Sequence, residues 1–130
     1  MSAAPQPKAR PKYYDLNLAH LPPPGIVSIL HRISGLALFF PILPLLLLAL
    51  HQSLRSEVEF EQWRELLSRG PVKLVLLGMF WFYAHHFWAG IRYLLLDVHV
   101  GIQKEPARTS AIVVLVLGAV TALIAAWRFW

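Results

Sequence analysis

The sequence predicts an all-α integral membrane protein, in which three transmembrane helices form part of a multi-subunit helical bundle. Of its 130 residues 57% are hydrophobic, and the mean hydropathy of +0.53 exceeds that of soluble domains. Three apolar runs reach the ~20 residues that a bilayer crossing requires. Because backbone groups in lipid must be bonded internally, each run must be a helix. Three helices enclose little interior, so we expect partner chains.

The composition also excludes several functions. The chain has no cysteine, so it binds no iron–sulfur cluster by thiolates and carries no disulfide or covalently attached c-type haem. It lacks a glycine-rich phosphate-binding loop, so flavin or nucleotide chemistry would belong to another subunit. The net charge is +5, but the basic residues lie at helix ends and in loops. Membrane topology explains that distribution better than nucleic-acid binding does.

A polar arm over residues 1–24 is predicted to precede a membrane anchor domain over 25–130. The arm lacks the apolar core of a signal peptide, and we expect it to be solvated or peripheral. At the boundary between the two parts, Pro22–Gly25 are expected to prevent a helix before Ile26. The first transmembrane helix is therefore predicted over about 26–50, with bends at its two prolines, Pro41 and Pro44.

The start of this first helix carries polar residues within an apolar run. Ser28 and Arg32 are four residues apart and share a face, and His31 neighbours that face. Arg32 lies about two turns inside the proline-rich boundary, so a hydroxyl, an imidazole and a guanidinium converge at one depth. The alternative is that Arg32 extends to the lipid headgroups and His31 is interfacial.

Residues 51–70 are predicted to form a polar loop. An amphipathic surface helix in its middle would turn Phe60, Trp63 and Leu66–Leu67 toward lipid or a partner. We find no chemistry in this loop.

The second transmembrane helix, predicted over about 71–96, contains the most informative stretch. Ionisable residues inside a membrane are costly and so are functional candidates. His85 points ~100° away from His86, toward the face of Arg92. Gly90 would leave room beside His86 for a flat, bulky group. The stripe on which His86 lies comprises His86, Gly90, Tyr93 and Asp97.

The third transmembrane helix is predicted over about 110–127 and is interpreted as structural. Gly118, Ala122 and Ala126 form a small-residue face for close helix packing.

The orientation in the membrane is predicted from the basic residues. Six of them lie on the side of the arm and the second loop, and five lie on the other side. Arg92 is one of the six. The positive-inside rule then places the N-terminus in the cytoplasm and the C-terminus in the periplasm.

The residues of the first two helices suit a non-covalent haem. Such a haem needs an imidazole ligand, a dry site and cations for its propionates. His86 beside Gly90 would supply the ligand and the space, and His31 and Arg32 the cations, while the second ligand would come from another subunit. Alternatively, His86 is a buried histidine bonded across helices.

Two motifs resemble those of the cytochrome b556 subunits that anchor succinate dehydrogenase in the membrane. The resemblance covers about residues 10–127 and includes the three-helix layout. The first motif is Arg10-Pro11, Leu16 and Ser28-Ile29-Leu30-His31-Arg32-Ile33-Ser34-Gly35, and the second is His86-x-x-x-Gly90-Ile91-Arg92-x-x-x-x-Asp97.

The resemblance implies a membrane subunit of respiratory complex II in a bacterial inner membrane, which passes electrons from succinate to quinone. It implies that His86 is an axial ligand of haem b, opposite a histidine of the smaller membrane anchor subunit. It implies that Ser28 and Arg32 line the ubiquinone site, and that His31 and Arg32 contact the haem propionates. The remaining implied partners are a flavoprotein subunit and an iron–sulfur subunit.

Some positions depart from the family pattern, notably Lys12, Tyr93, Leu96 and His99. A phenol at position 93 cannot copy the titrating imidazole often found there. Two other functions remain open at this point: a small proton-coupled transporter with a relay through Arg32, His86 and Asp97, and a structural anchor without a cofactor.

Overall fold

The computed structural model describes residues 20–129, except the side chain of Phe129, and its regular elements are helical. Three stretches are long and apolar enough to cross a membrane, namely Pro23–Ser53, Gly70–Asp97 and Lys104–Arg128. This confirms the predicted all-α fold with three transmembrane helices. Most of the predicted arm, with the Arg10-Pro11 and Leu16 part of the first motif and Lys12, lies outside the described residues. The elements in chain order are α1 (Pro23–Ala37), a π-helical segment (Leu38–Ile42), α2 (Leu43–Ser53), α3 (Glu57–Ser68), α4 (Gly70–Asp97) and α5 (Lys104–Phe129).

The first transmembrane helix begins earlier than predicted. The expectation that the prolines prevent helix before Ile26 is wrong, because Pro23 opens α1 with a proline in its first turn. The first N–H groups of a helix have no partner within the helix, and the fixed φ of proline is already helical. The Pro22 carbonyl accepts hydrogen bonds from the backbone N–H groups of Gly25 and Ile26 at 2.8 and 3.2 Å.

A π-helical segment lies where a bend at Pro41 was predicted. Leu38–Ile42 contains Pro41, which has no N–H and would clash with a carbonyl one turn earlier in an α-helix. The wider π turn accommodates it, so the helical run continues into α2 without a break. Pro44, the second predicted bend, lies at the start of α2, directly after the π-helical segment.

The amphipathic helix predicted in the first loop is present as α3. The Ser56 hydroxyl caps its N-terminus by accepting a hydrogen bond from the Glu59 N–H at 3.1 Å, which satisfies one otherwise unpaired donor. The apolar side of α3 lies against α2 and leaves a groove of about 550 Å³ between them. The residues of α3 in that groove include Phe60, Trp63 and Leu67.

The second loop is shorter than predicted, because α5 begins at Lys104 rather than near residue 110. Pro106 lies in its first turn, where proline is tolerated. At the end of α4 the N–H groups of His99 and Val100 donate to the carbonyls of Leu96 and Leu95, both at 2.9 Å. These are the bonds of a Schellman cap, and they place His99 at φ 65°, a position where glycine is usual.

Helices α1, α4 and α5 pack through small side chains. The buried hydrophobic cluster consists of Val27, Ala89, Ala111 and Val114, so the helix backbones approach closely. At Gly118, an added Cβ would lie 3.5 Å from Cα of His85. Most large apolar side chains lie on the outside of the bundle, where lipid or partner chains would cover them.

Arg92 is buried, with 5% of its surface exposed. Its Nε donates to Ser110 Oγ at 3.0 Å and its Nη2 to the Ala107 carbonyl at 3.2 Å, so it joins α4 to the start of α5. A buried arginine engaged in this way says little about which side of the membrane a loop faces. Without it, the basic residues divide five against five, and the charge argument for orientation disappears.

Replacement of Arg92 should loosen the packing of α4 against α5. Hydrogen bonds from a charged donor contribute ~1.5–3 kcal/mol, so Arg92→Met should lower the unfolding temperature of the detergent-solubilised protein. Arg108→Met, on an exposed position of α5, is the matched control and should have little effect. Equal unfolding temperatures for the two variants would show that the Arg92 contacts do not stabilise the helix pair.

Candidate functional site

The polar residues of the first two transmembrane helices meet along the seam between α1 and α4. The rings of His31 and His86 are stacked, with centroids 4.2 Å apart and planes inclined by 6°. The Tyr93 ring lies 5.0 Å from that of His31, two turns along α4 from His86. His31 therefore lies between His86 and Tyr93 on the surface of α4, opposite Gly90.

The imidazole of His86 is held by α1 through one of its nitrogens. His86 Nδ1 lies 3.1 Å from the His31 carbonyl oxygen and 3.1 Å from Ser34 Oγ. The Ser34 hydroxyl donates to the same carbonyl at 2.9 Å, and Ser34 is fully buried. Nε2 of His86 makes no hydrogen bond with the described residues. One ring nitrogen is thus fixed, and the other remains available.

Gly35 allows His86 to approach α1 so closely. A Cβ added at position 35 would lie 2.9 Å from Cε1 of His86, which is shorter than real contacts of this kind. The sequence had indicated Gly90 as the source of space beside His86. In the structure a Cβ at Gly90 would instead meet Nε2 of His31 at 4.0 Å, so the room at Gly90 is taken up by His31.

An apolar groove begins at His86 and runs along the outside of α1, the π-helical segment and α2. Its volume is about 350 Å³. Phe39 and Leu43 are exposed on its walls, so the groove faces away from α5 and toward a neighbouring chain or lipid. The residues that line it are Gly35, Leu38, Phe39, Ile42, Leu43, Leu46, Tyr83 and His86.

Ser28 and Arg32 lie one turn apart on α1, toward the helix start from Gly35. Ser28 is half-buried and Arg32 is exposed, so they border the seam without being enclosed in it. Asp97 is exposed at the end of α4, nearly three turns from His86. The structure brings His31 to His86, but it does not bring Asp97 into a continuous relay with Arg32 and His86.

His85 lies on a different face of α4 from His86, about 100° around the helix. It is 1% exposed, its ring stacks on that of Trp81 at 5.7 Å, and its Cβ and Nδ1 lie at the surface of Gly118. This places it on the buried face with Arg92, as the helical spacing predicted. Its ring is enclosed in the bundle interior, where Nε2 has no hydrogen-bond partner among the described residues.

Sequence reasoning missed Ser34 and Gly35 as site residues. Both stand within the first motif, but nothing in the spacing along α1 shows that His86 contacts them. The available signal was the adjacent pair of small residues itself, since small residues mark close helix contacts in membranes.

The fold and the seam together define a multi-pass membrane protein with an imidazole presented to an outward-facing apolar groove. The family model of the succinate dehydrogenase/fumarate reductase transmembrane subunit matches residues 6–125. The succinate dehydrogenase cytochrome b556 subunit of Coxiella burnetii is 35% identical over 122 residues, which are 93% of this chain and 97% of that relative. The chain therefore belongs to the family of succinate dehydrogenase/fumarate reductase transmembrane subunits, which confirms the resemblance predicted from its motifs.

The contact at Gly35 predicts a specific steric effect. Gly35→Ala should push the His86 ring away from α1, weaken its contacts with Ser34 and the His31 carbonyl, and so lower the unfolding temperature of the detergent-solubilised protein. Gly78→Ala is the matched control, because no atom lies within 4 Å of its added Cβ and alanine favours helix. The measurement is the unfolding temperature of each variant, and equal temperatures for the two variants would mean that His86 does not need this close approach.

Proposed function

We propose that this chain is the haem-carrying membrane anchor subunit of a succinate:quinone oxidoreductase, with haem b on His86 and part of the ubiquinone site at Ser28 and Arg32. Succinate would be oxidised on a flavoprotein subunit, and an iron–sulfur subunit would deliver the electrons to the membrane domain. Membership of the family supports this assignment. The name of the Coxiella burnetii relative, a cytochrome b556 subunit, supports a b-type haem.

One observation carries the haem assignment: α1 holds Nδ1 of His86, Nε2 makes no hydrogen bond with the described residues, and the ring lines an apolar groove. Histidine ligands usually donate their second ring N–H to a protein acceptor, and this arrangement provides the acceptors. His31 stacks on the face of the imidazole, whereas the lone pair of Nε2 lies in the ring plane and stays accessible. The residues present therefore fit an axial ligand.

The groove is open to the outside of the bundle, which agrees with a site shared between two chains. Phe39, Leu43 and Tyr83 would hold the haem from this chain, and the smaller membrane anchor subunit would supply the second histidine ligand. A haem bound here would supply a one-electron carrier close to the quinone site. Arg32 would provide a permanent positive charge for the propionates, and His31 a second polar group.

Ser28 and Arg32 would bind the quinone head group at the start of α1. The Ser28 hydroxyl can donate a hydrogen bond to one quinone carbonyl. The guanidinium of Arg32 stays protonated, so it can stabilise negative charge on a quinone oxygen but cannot donate the proton that the reduction consumes. Protons would therefore reach the site through water or through residues of the partner chains.

The proposed partners and location follow from the same assembly. The flavoprotein and iron–sulfur subunits would dock on the cytoplasmic side of a bacterial inner membrane, where the N-terminal arm and the α4–α5 loop would lie. The C-terminus would then be periplasmic. The exposed apolar faces of the bundle would pack against the smaller anchor subunit and lipid.

The haem ligand is tested by comparing neighbouring histidines. His86→Leu should remove or convert the b-type signal in a reduced-minus-oxidised spectrum of the assembled complex. His85→Leu should largely preserve the signal, because His85 faces α5 and lies outside the groove. If the His85 variant loses the signal and the His86 variant retains it, the iron is bound from the other face of α4.

The quinone site is tested by a ratio of two activities in membranes with matched complex content. Arg32→Leu should nearly abolish succinate-to-quinone electron transfer, because it removes a charge-assisted hydrogen bond to the quinone. Such a bond contributes ~1.5–3 kcal/mol, which is more than a neutral hydrogen bond contributes. Ser28→Ala should weaken the transfer less, mainly through poorer quinone binding. Both variants should oxidise succinate normally with a soluble artificial acceptor, which needs only the peripheral subunits. An unchanged ratio in Arg32→Leu would show that quinone binds elsewhere.

A further inference from the structure

We propose that Ser34 is a positioning residue for the haem ligand: its buried hydroxyl fixes the tautomer and the ring orientation of His86. The part of this inference that concerns haem rests on the function proposed above. The part that concerns the imidazole stands on the contacts of Ser34 alone.

The hydrogen-bond directions determine the tautomer of His86. The Ser34 hydroxyl donates its hydrogen to the His31 carbonyl at 2.9 Å, so it presents a lone pair to His86 Nδ1 at 3.1 Å. The second neighbour of Nδ1, at 3.1 Å, is the His31 carbonyl oxygen, which can only accept. Since both neighbours act as acceptors, Nδ1 carries the proton and Nε2 carries the lone pair that a metal requires.

Two acceptors also define the orientation of the ring. With the carbonyl alone, the imidazole could turn about its Cβ–Cγ bond and still keep one hydrogen bond. Ser34 adds a second acceptor from α1, and Gly35 leaves room for the Cε1 side of the ring. Acceptors at Nδ1 increase the basicity of the ligating nitrogen, which favours the oxidised state of a bound iron.

A purely structural explanation for Ser34 is available within the same chain. Serines in helices often donate to the carbonyl three or four residues earlier, and Ser53 and Ser68 do so at 2.9 and 2.7 Å. Neither of these exposed hydroxyls has a side-chain partner among the described residues. Ser53→Ala therefore removes the same intrahelical bond without affecting an imidazole, which makes it a matched control.

The test compares Ser34→Ala and Ser53→Ala in the assembled complex. For Ser34→Ala we expect a more positive midpoint potential of the haem and a haem affinity about 10–100-fold lower, the range found when such supporting residues are replaced. Ser34→Cys, which keeps the volume but accepts hydrogen bonds poorly, should shift the potential in the same direction. Ser34→Thr, which keeps the hydroxyl, should restore the potential toward that of the unmodified protein.

A second measurement reports on the imidazole without haem. In complex produced in a haem-deficient host with ¹⁵N-labelled histidine, the nitrogen chemical shifts of His86 should show the Nδ1–H tautomer. In Ser34→Ala the population of the Nε2–H tautomer should rise, and in Ser53→Ala it should not.

The outcomes separate this inference from the proposed function. In one outcome the unmodified complex binds no haem at His86 but shows the Nδ1–H tautomer, and Ser34→Ala loses that tautomer. This result would refute the haem assignment and retain the role of Ser34. Potentials and tautomers of Ser34→Ala equal to those of Ser53→Ala would overturn the inference, whether or not His86 binds haem.

Discussion

The close approach of α1 to α4 at Gly35 and His86 is the constraint on which the site depends. An imidazole fits between the two helices because Gly35 has no side chain and because Ser34 and the His31 carbonyl satisfy its buried nitrogen. Without these polar partners, the polar edge of the ring would be left unpaired in an apolar environment, which is costly. The same contact sets the position of His31 and leaves the second nitrogen of His86 without a hydrogen bond to the described residues.

The π-helical segment continues this arrangement toward the opposite membrane surface. A π turn contains more residues than an α turn, so it changes the direction in which the following side chains point. Here it begins three residues after Gly35 and includes the exposed Phe39, which forms a wall of the groove. Pro41 explains why an ordinary α-helix is disfavoured at this point. A single residue with no N–H thus contributes to the shape of a surface that a partner chain would complete.

The sequence predicted the number and type of the helices well, since long apolar runs have few alternatives in a membrane. Helix starts were predicted less well: Pro23 was interpreted as a barrier although it stands in a first turn, and the start of α5 at Lys104 was assigned to a polar loop. Spacing placed His85 with Arg92 and His86 on another face, since that relation lies within one helix. It could not identify the contact of His86 with Ser34 and Gly35, which depends on how two helices are rotated against each other. The role of Arg92 also depends on contacts between helices. It was included in the count of basic residues that predicts membrane orientation, although its guanidinium is buried.

The central claim, that Nε2 of His86 holds a haem in the groove beside the π-helical segment, is tested most directly by an electron cryo-microscopy structure of the assembled complex. We expect density for a planar macrocycle bonded through its iron to Nε2 of His86 and in contact with Phe39 and Tyr83. The Nδ1 atom of the same ring should remain bonded to Ser34 and the His31 carbonyl. Lipid density in the groove, or a macrocycle bonded to a different residue of this chain, would contradict the account.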